Sequence, residues 1–116
     1  MLLWSAIDRY TSLKYNEKRK GKNNKEFANE KAFKKGLKKY VKDKSRRKVY
    51  SAEDIKMYEL DTEDPEESLK YYYTIRCNVV HRGKAIIHDK SMLKSSLFEL
   101  LNIFKDILND TFDEYI

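Results

Sequence analysis

The sequence has one cysteine, one proline, three glycines and two histidines in 116 residues. A lone Cys77 forms no internal disulfide, and with His81 and His88 it falls short of a closed zinc site unless carboxylates complete the ligand set. No apolar run approaches the roughly 20 residues that span a bilayer. Met1-Leu2-Leu3-Trp4 meets Asp8 and Arg9 too soon for a signal peptide. No membrane partner is expected, and a reducing cytoplasm is the simplest setting. Sustained period-two alternation, a Gly-rich hairpin turn, an internal repeat and a low-complexity tract are also missing, so the expectation is an all-α chain; as a separate expectation, no cofactor is assigned.

What is present fits one helical domain over residues 1–116, a length that buries a continuous core unaided. Nine tyrosines, five phenylalanines and regularly spaced leucines argue against disorder despite the high charged fraction. The net charge of +6 is polarised. Lys14 to Lys48 holds sixteen Lys or Arg against four acids, whereas Val49 to Ile116 holds eight basic and fourteen acidic residues. A basic segment of that density is the footprint expected for a polyanion such as RNA; a solvated lysine-rich helix face is the plainer alternative.

Helical spacing predicts an amphipathic helix from Leu2 to about Tyr15, carrying Leu3, Ala6, Ile7, Tyr10 and Leu13 with Trp4 beside them. Asn16 to Lys25 reads as a connection. A second helix, Glu26 to about Lys44, sets Ala32, Phe33, Leu37, Tyr40 and Val41 opposite its lysines. Ser51-Ala52-Glu53-Asp54 resembles a capping box opening a short helix through Ile55, Met57, Tyr58 and Leu60. Pro65 to Gly83 is punctuated at both ends: Asp64 caps, Pro65 takes the first helical position, Glu66 and Glu67 complement the dipole, and Gly83 suits a left-handed stop. After a turn over Lys84 to His88, a last helix from about Asp89 carries Leu93, Leu97, Leu100, Leu101, Phe104, Ile107, Leu108 and Phe112, and is expected to be the main packing partner of the Pro65 helix. The expected architecture is an antiparallel bundle of four long helices plus one short helix.

One residue breaks the pattern. At about 100° per residue, Leu69, Tyr72, Ile75, Val79 and Val80 share a broad face, and Arg76 falls inside it. An arginine there must reach a carboxylate, a phosphate, a partner chain or water, because an unpaired buried charge costs several kcal/mol, on the order of 3 to 5. His81 lies about 140° away on an ideal helix, so spacing alone does not bring the two together. The plain reading has Arg76 paired with an acid, His81 capping the helix, Tyr71 to Tyr73 as core aromatics and Cys77 as a packed thiol.

Ile75-Arg76-Cys77-Asn78-Val79-Val80-His81-Arg82-Gly83-Lys84 resembles the signature of HEPN domains, in which an arginine is followed by four to six residues and a histidine. Trp4-Ser5-Ala6-Ile7-Asp8-Arg9-Tyr10 is similar to the first helix of that family. The resemblance implies an HEPN-like helical homodimer in which the Arg and His motifs of two chains face one cleft. It further implies metal-independent endoribonuclease activity in a toxin, defence or RNA-processing role, with room for an antitoxin or regulatory protein as a further partner. Many family toxins paired with a nucleotidyltransferase carry a tyrosine two residues after the histidine, where this chain has Gly83.

On that resemblance Arg76 and His81 are the catalytic pair. Asn78 is a supporting residue, standing one position later than the family's usual polar residue, which is Cys77 here. Arg82, Lys84, Lys38, Lys42, Arg46 and Arg47 are the candidate phosphate or RNA contacts. The chemistry suits these types: histidine moves protons near neutral pH, and arginine's fork matches phosphate oxygens. Two rival readings remain open. One is a noncatalytic HEPN-type module that binds RNA or nucleotide and dimerises; the other is a basic nucleic-acid-binding bundle with a structural arginine and histidine.

Overall fold

The computed structural model describes residues 2–15, 20–42, 47–51, 56–82 and 90–114; of these, residues 2, 20–22, 78–82, 90–92 and 112–114 are described by their backbone alone. Five helices run through these residues, α1 Leu2–Tyr15, α2 Lys20–Ala28, α3 Lys31–Tyr40, α4 Pro65–Arg82 and α5 Lys90–Glu114, with a two-stranded sheet, β1 Lys48–Tyr50 and β2 Met57–Glu59, between α3 and α4. The fold is mostly helical. No described helix is long and apolar enough to cross a membrane.

α1 forms over the expected span, but its buried face is Trp4, Ile7 and Thr11. These lie three and four residues apart, and Leu13 is left 75% exposed. The expected connection at 16–25 and the single helix from Glu26 are both corrected. α2 begins at Lys20, the chain breaks at Asn29 and Glu30, and α3 starts at Lys31. The cause of the break is tertiary. Glu30 has extended backbone, φ −63° and ψ 140°, and its carboxylate accepts hydrogen bonds from three α1 side chains: Tyr10 at 3.1 Å, Lys14 at 2.9 Å and Tyr15. Phe27 then plugs the corner among Tyr10, Phe33 and Phe104, with ring centroids 5.4 to 6.3 Å apart.

The expected short helix is also corrected. Its last residues form β2, paired antiparallel with β1 in the register Lys48↔Glu59, Val49↔Tyr58 and Tyr50↔Met57, while the rest of the capping box and Ile55 lie outside the described residues. Each strand is only three residues long, too short for alternation to stand out in the sequence. Val49, at 8% exposure, packs inward while its neighbours face out. The hairpin lies against α4, and the chain turns from it into the helix through a tight polar corner. Ser68 Oγ donates to the Asp61 carbonyl at 2.5 Å and accepts from the Asp61 N–H at 3.0 Å.

α4 starts where its caps predict. Asp64 Oδ1 accepts from the Glu67 N–H at 3.1 Å, and the Asp64 carbonyl accepts the first helical bond, from Ser68. Gly83 and the turn to His88 lie outside the described residues. α5 packs chiefly along α3, not along α4 as its periodicity suggested. The reason is Gly36, whose missing side chain lets α3 approach Ile103 so closely that a Cβ there would sit 2.8 Å from Ile103 Cγ1. Trp4, Ile7, Phe27, Phe33, Leu37, Tyr71, Leu100, Ile103 and Ile107 form the core between the helices. Phe98, Leu101 and Leu108 remain 61%, 41% and 40% exposed along one side of α5.

Candidate functional site

α4 is the element that carries the motif. Among its described side chains Ser68, Leu69, Tyr71, Tyr72, Thr74 and Ile75 are buried, and Arg76 beside them is half-buried. The guanidinium meets no carboxylate among the described residues. Its carbon lies 5.6 Å from the centre of the Tyr73 ring, and its Nε is buried with no hydrogen-bond partner. Tyr73 is itself held edge-to-face by Trp4 of α1, centroids 5.5 Å apart. A charged fork thus lies beside the Tyr73 ring, with donors to spare among the described residues.

Cys77 is partly buried and forms no disulfide. Asn78, His81 and Arg82 continue α4 as backbone, His81 and Arg82 in its last turn, and their side chains are not among those described. Lys84 and Arg46 lie outside the described residues. Lys38 and Lys42 are exposed on and just after α3; Lys38 lies 3.8 Å from Glu63 in a pair whose two side chains are 62% and 76% exposed, a geometry that fixes little.

Arg47 is placed quite differently from a surface phosphate contact. Its side chain is 12% exposed, and Nη2 donates to both oxygens of Glu99, at 2.6 and 2.5 Å, while Nη1 donates to Ser96 Oγ at 3.3 Å. Tyr72 donates to Glu99 at 3.0 Å, Tyr71 shares a 3.0 Å bond with Ser96, and the guanidinium lies 5.9 Å from the Tyr71 ring. Burial, and then the Glu99 charge, push the Tyr72 hydroxyl far above the ordinary tyrosine range, so it stays a donor. This cluster ties the β1 end of the hairpin to α4 and α5. Its sequence signal was Glu99 itself, a lone acid on the apolar side of the last helix.

A second polar cluster surrounds Glu30. Burial and the bond to Glu30 raise Tyr15, and Lys14 is raised by its bonds to Tyr10 and Glu30 against the opposing effect of burial. The groups satisfy one another and close the corner between α1 and α3. No protein-family model, curated protein or solved structure matches the chain. The functional reading therefore rests on Arg76 and its surroundings.

Proposed function

We propose that the chain is a metal-independent endoribonuclease of HEPN type, with toxin, defence or RNA-processing roles in view, acting as a homodimer in the cytoplasm. In this reading α1, the broken α2–α3 limb, α4 and α5 are the four limbs of an antiparallel HEPN-like bundle. The observation that carries it is the state of Arg76: partly buried, stacked near Tyr73, and without a carboxylate among the described residues. Among the described residues, the plain alternative of an arginine paired to an acid is met by Arg47 with Glu99 and not by Arg76. A phosphate would complete the Arg76 fork with charge-assisted bonds, each roughly twice the strength of a neutral one.

The chemistry follows from the residue types. A base takes the proton from a ribose 2′-hydroxyl, the 2′-oxygen attacks phosphorus, and the bond to the 5′-oxygen breaks as an acid protonates it, leaving a 2′,3′-cyclic phosphate. Arg76 stabilises the negative charge that builds on the phosphorane. His81, in the last turn of α4, takes the acid role in this reading. Asn78 orients the reacting groups, and Arg82 and Lys84 hold flanking phosphates. A second copy contributes the other Arg and His pair, and the exposed apolar stripe of Phe98, Leu101 and Leu108 is surface of the kind such association covers.

The test is cleavage of RNA by the purified protein in EDTA, with end-group analysis. Wild type is expected to leave 2′,3′-cyclic phosphate ends, and Arg76→Ala and His81→Ala are each expected to lose at least about a hundredfold in rate while keeping their helical circular dichroism. RNA binding without cleavage would move the assignment to the noncatalytic HEPN-type module. An antitoxin or regulatory partner is sought by whether a co-purifying protein suppresses that cleavage.

A further inference from the structure

A cleft of about 170 Å³ opens between α2, β2 and α4 on the flank of Tyr73. Leu69, 3% exposed, forms an apolar part of its lining, and Tyr58 and Tyr73 contribute two aromatic rings. Around it stand Asn24, Lys25, Lys70 and Glu66, and none of these four side chains makes a hydrogen bond or ion pair among the described residues. Convergent polar groups without partners around an apolar, aromatic slot are the composition of a ligand site. Size narrows the ligand: a cavity of about 150 Å³ accepts one benzene ring, whereas drug-sized ligands need roughly 300 Å³ or more. One flat ring fits, and the rest of its molecule must lie outside.

Tyr73 links this cleft to the motif, since the same ring that lines it faces the Arg76 guanidinium. We propose that the cleft is a nucleobase slot, taking a single-ring, amino-bearing base, cytosine, while the attached phosphate lies at Arg76 and the rim lysines. Aromatic rings accept any base face by stacking. Selection comes from the edge: the Glu66 carboxylate only accepts hydrogen bonds and so matches an exocyclic amino group, and the Asn24 amide offers a donor and an acceptor side by side. Uracil presents a carbonyl where cytosine presents the amine, and Glu66 would oppose it. The RNA form of this proposal rests on the nuclease reading and names where that substrate places a base; the same chemistry is also met by a free nucleotide.

The experiment is fluorescence anisotropy with labelled r(C)8, r(U)8 and an abasic ribose octamer, and competition by cytidine 5′-monophosphate or ribose 5-phosphate. The expected order is r(C)8 tighter than r(U)8, and both tighter than the abasic strand, with cytidine monophosphate competing better than ribose phosphate. Thr74→Met fills the slot, and Tyr73→Leu removes a ring; each is expected to weaken r(C)8 by about tenfold to a hundredfold, the range of one lost base stack. Tyr73→Phe keeps the ring and is expected to bind within about twofold of wild type, which separates stacking from a folding defect. If wild type and Thr74→Met bind r(C)8 alike, or the abasic strand binds as tightly, the slot is overturned while cleavage by wild type leaves the nuclease reading standing. Equal binding of r(C)8 and r(U)8 also overturns the slot as proposed. Binding of fluorescently labelled cytidine 5′-monophosphate, read directly by its own anisotropy, without any octamer binding keeps the slot and removes the nuclease. Wild type that binds neither octamer nor nucleotide overturns both.

Discussion

Arg47 holds its charge between Glu99, Ser96 and the Tyr71 ring, with side chains of the ion pair only 12% and 6% exposed. Removing one member of such a pair strands the other without its counter-charge, a loss of about 3 to 5 kcal/mol. Arg47→Met is therefore expected to lower the urea midpoint sharply, and Arg47→Met with Glu99→Leu to recover most of that loss, because both charges then leave together. A double variant no more stable than Arg47→Met would show that the pair is not the unit of stability. Nothing about residue 47 distinguishes it in the sequence from its neighbours in Ser45-Arg46-Arg47-Lys48, so a surface role was the natural reading. The structure selects it because Val49 must face inward on β1, and alternation then turns residue 47 the same way. Arg76 was legible for the opposite reason: its place in an apolar helical stripe required an explanation at once.

Between elements, the closest approach is α3 against α5 at Gly36. Alanine there gains roughly 1 kcal/mol in helix propensity, but its Cβ meets Ile103 Cγ1 at 2.8 Å and Cγ2 at 3.1 Å, and overpacking of a filled core costs about 1 to 3 kcal/mol. The net expectation for Gly36→Ala is a loss of up to about 2 kcal/mol. Ile103→Ala alone should lose about 2 to 5 kcal/mol through the cavity it leaves. Combined, the two should lose less than the sum, with a coupling of at least about 0.5 kcal/mol in urea unfolding. Additive losses would mean that the helices do not meet there. Long elements with local punctuation, α1, α4 and α5, were readable from spacing and from Asp64-Pro65. The hairpin and the break at Glu30 were not, because one depends on strands of three residues and the other on a carboxylate held by Tyr10, Lys14 and Tyr15 from another helix.

Over the whole molecule, the positive charge of the first half resolves into a side of α3 on which Lys31, Lys34, Lys35 and Lys38 are exposed, with Lys42 following, opposite buried Phe33 and Leu37. Lys39 lies 3.7 Å from Asp106 and Lys38 lies 3.8 Å from the exposed Glu63, so among the described residues most of this charge is free of strong internal commitments. If the face holds RNA, each lysine on a phosphate releases counterions, and the slope of log K against log salt steepens by about 0.7 per contact on a single strand. Replacing Lys34, Lys35, Lys38 and Lys42 together by glutamine should then flatten the slope by about 2 to 3 for r(C)8. Folding stability should change little, because exposed positions away from packing contribute within about 0.5 kcal/mol each. Arg47, spent inside the fold, does not belong in that set, and no slope change should be sought from it. A lysine variant that keeps the wild-type slope would identify the α3 face as solvated surface and leave Arg76, Lys25 and Lys70 as the cations that carry binding.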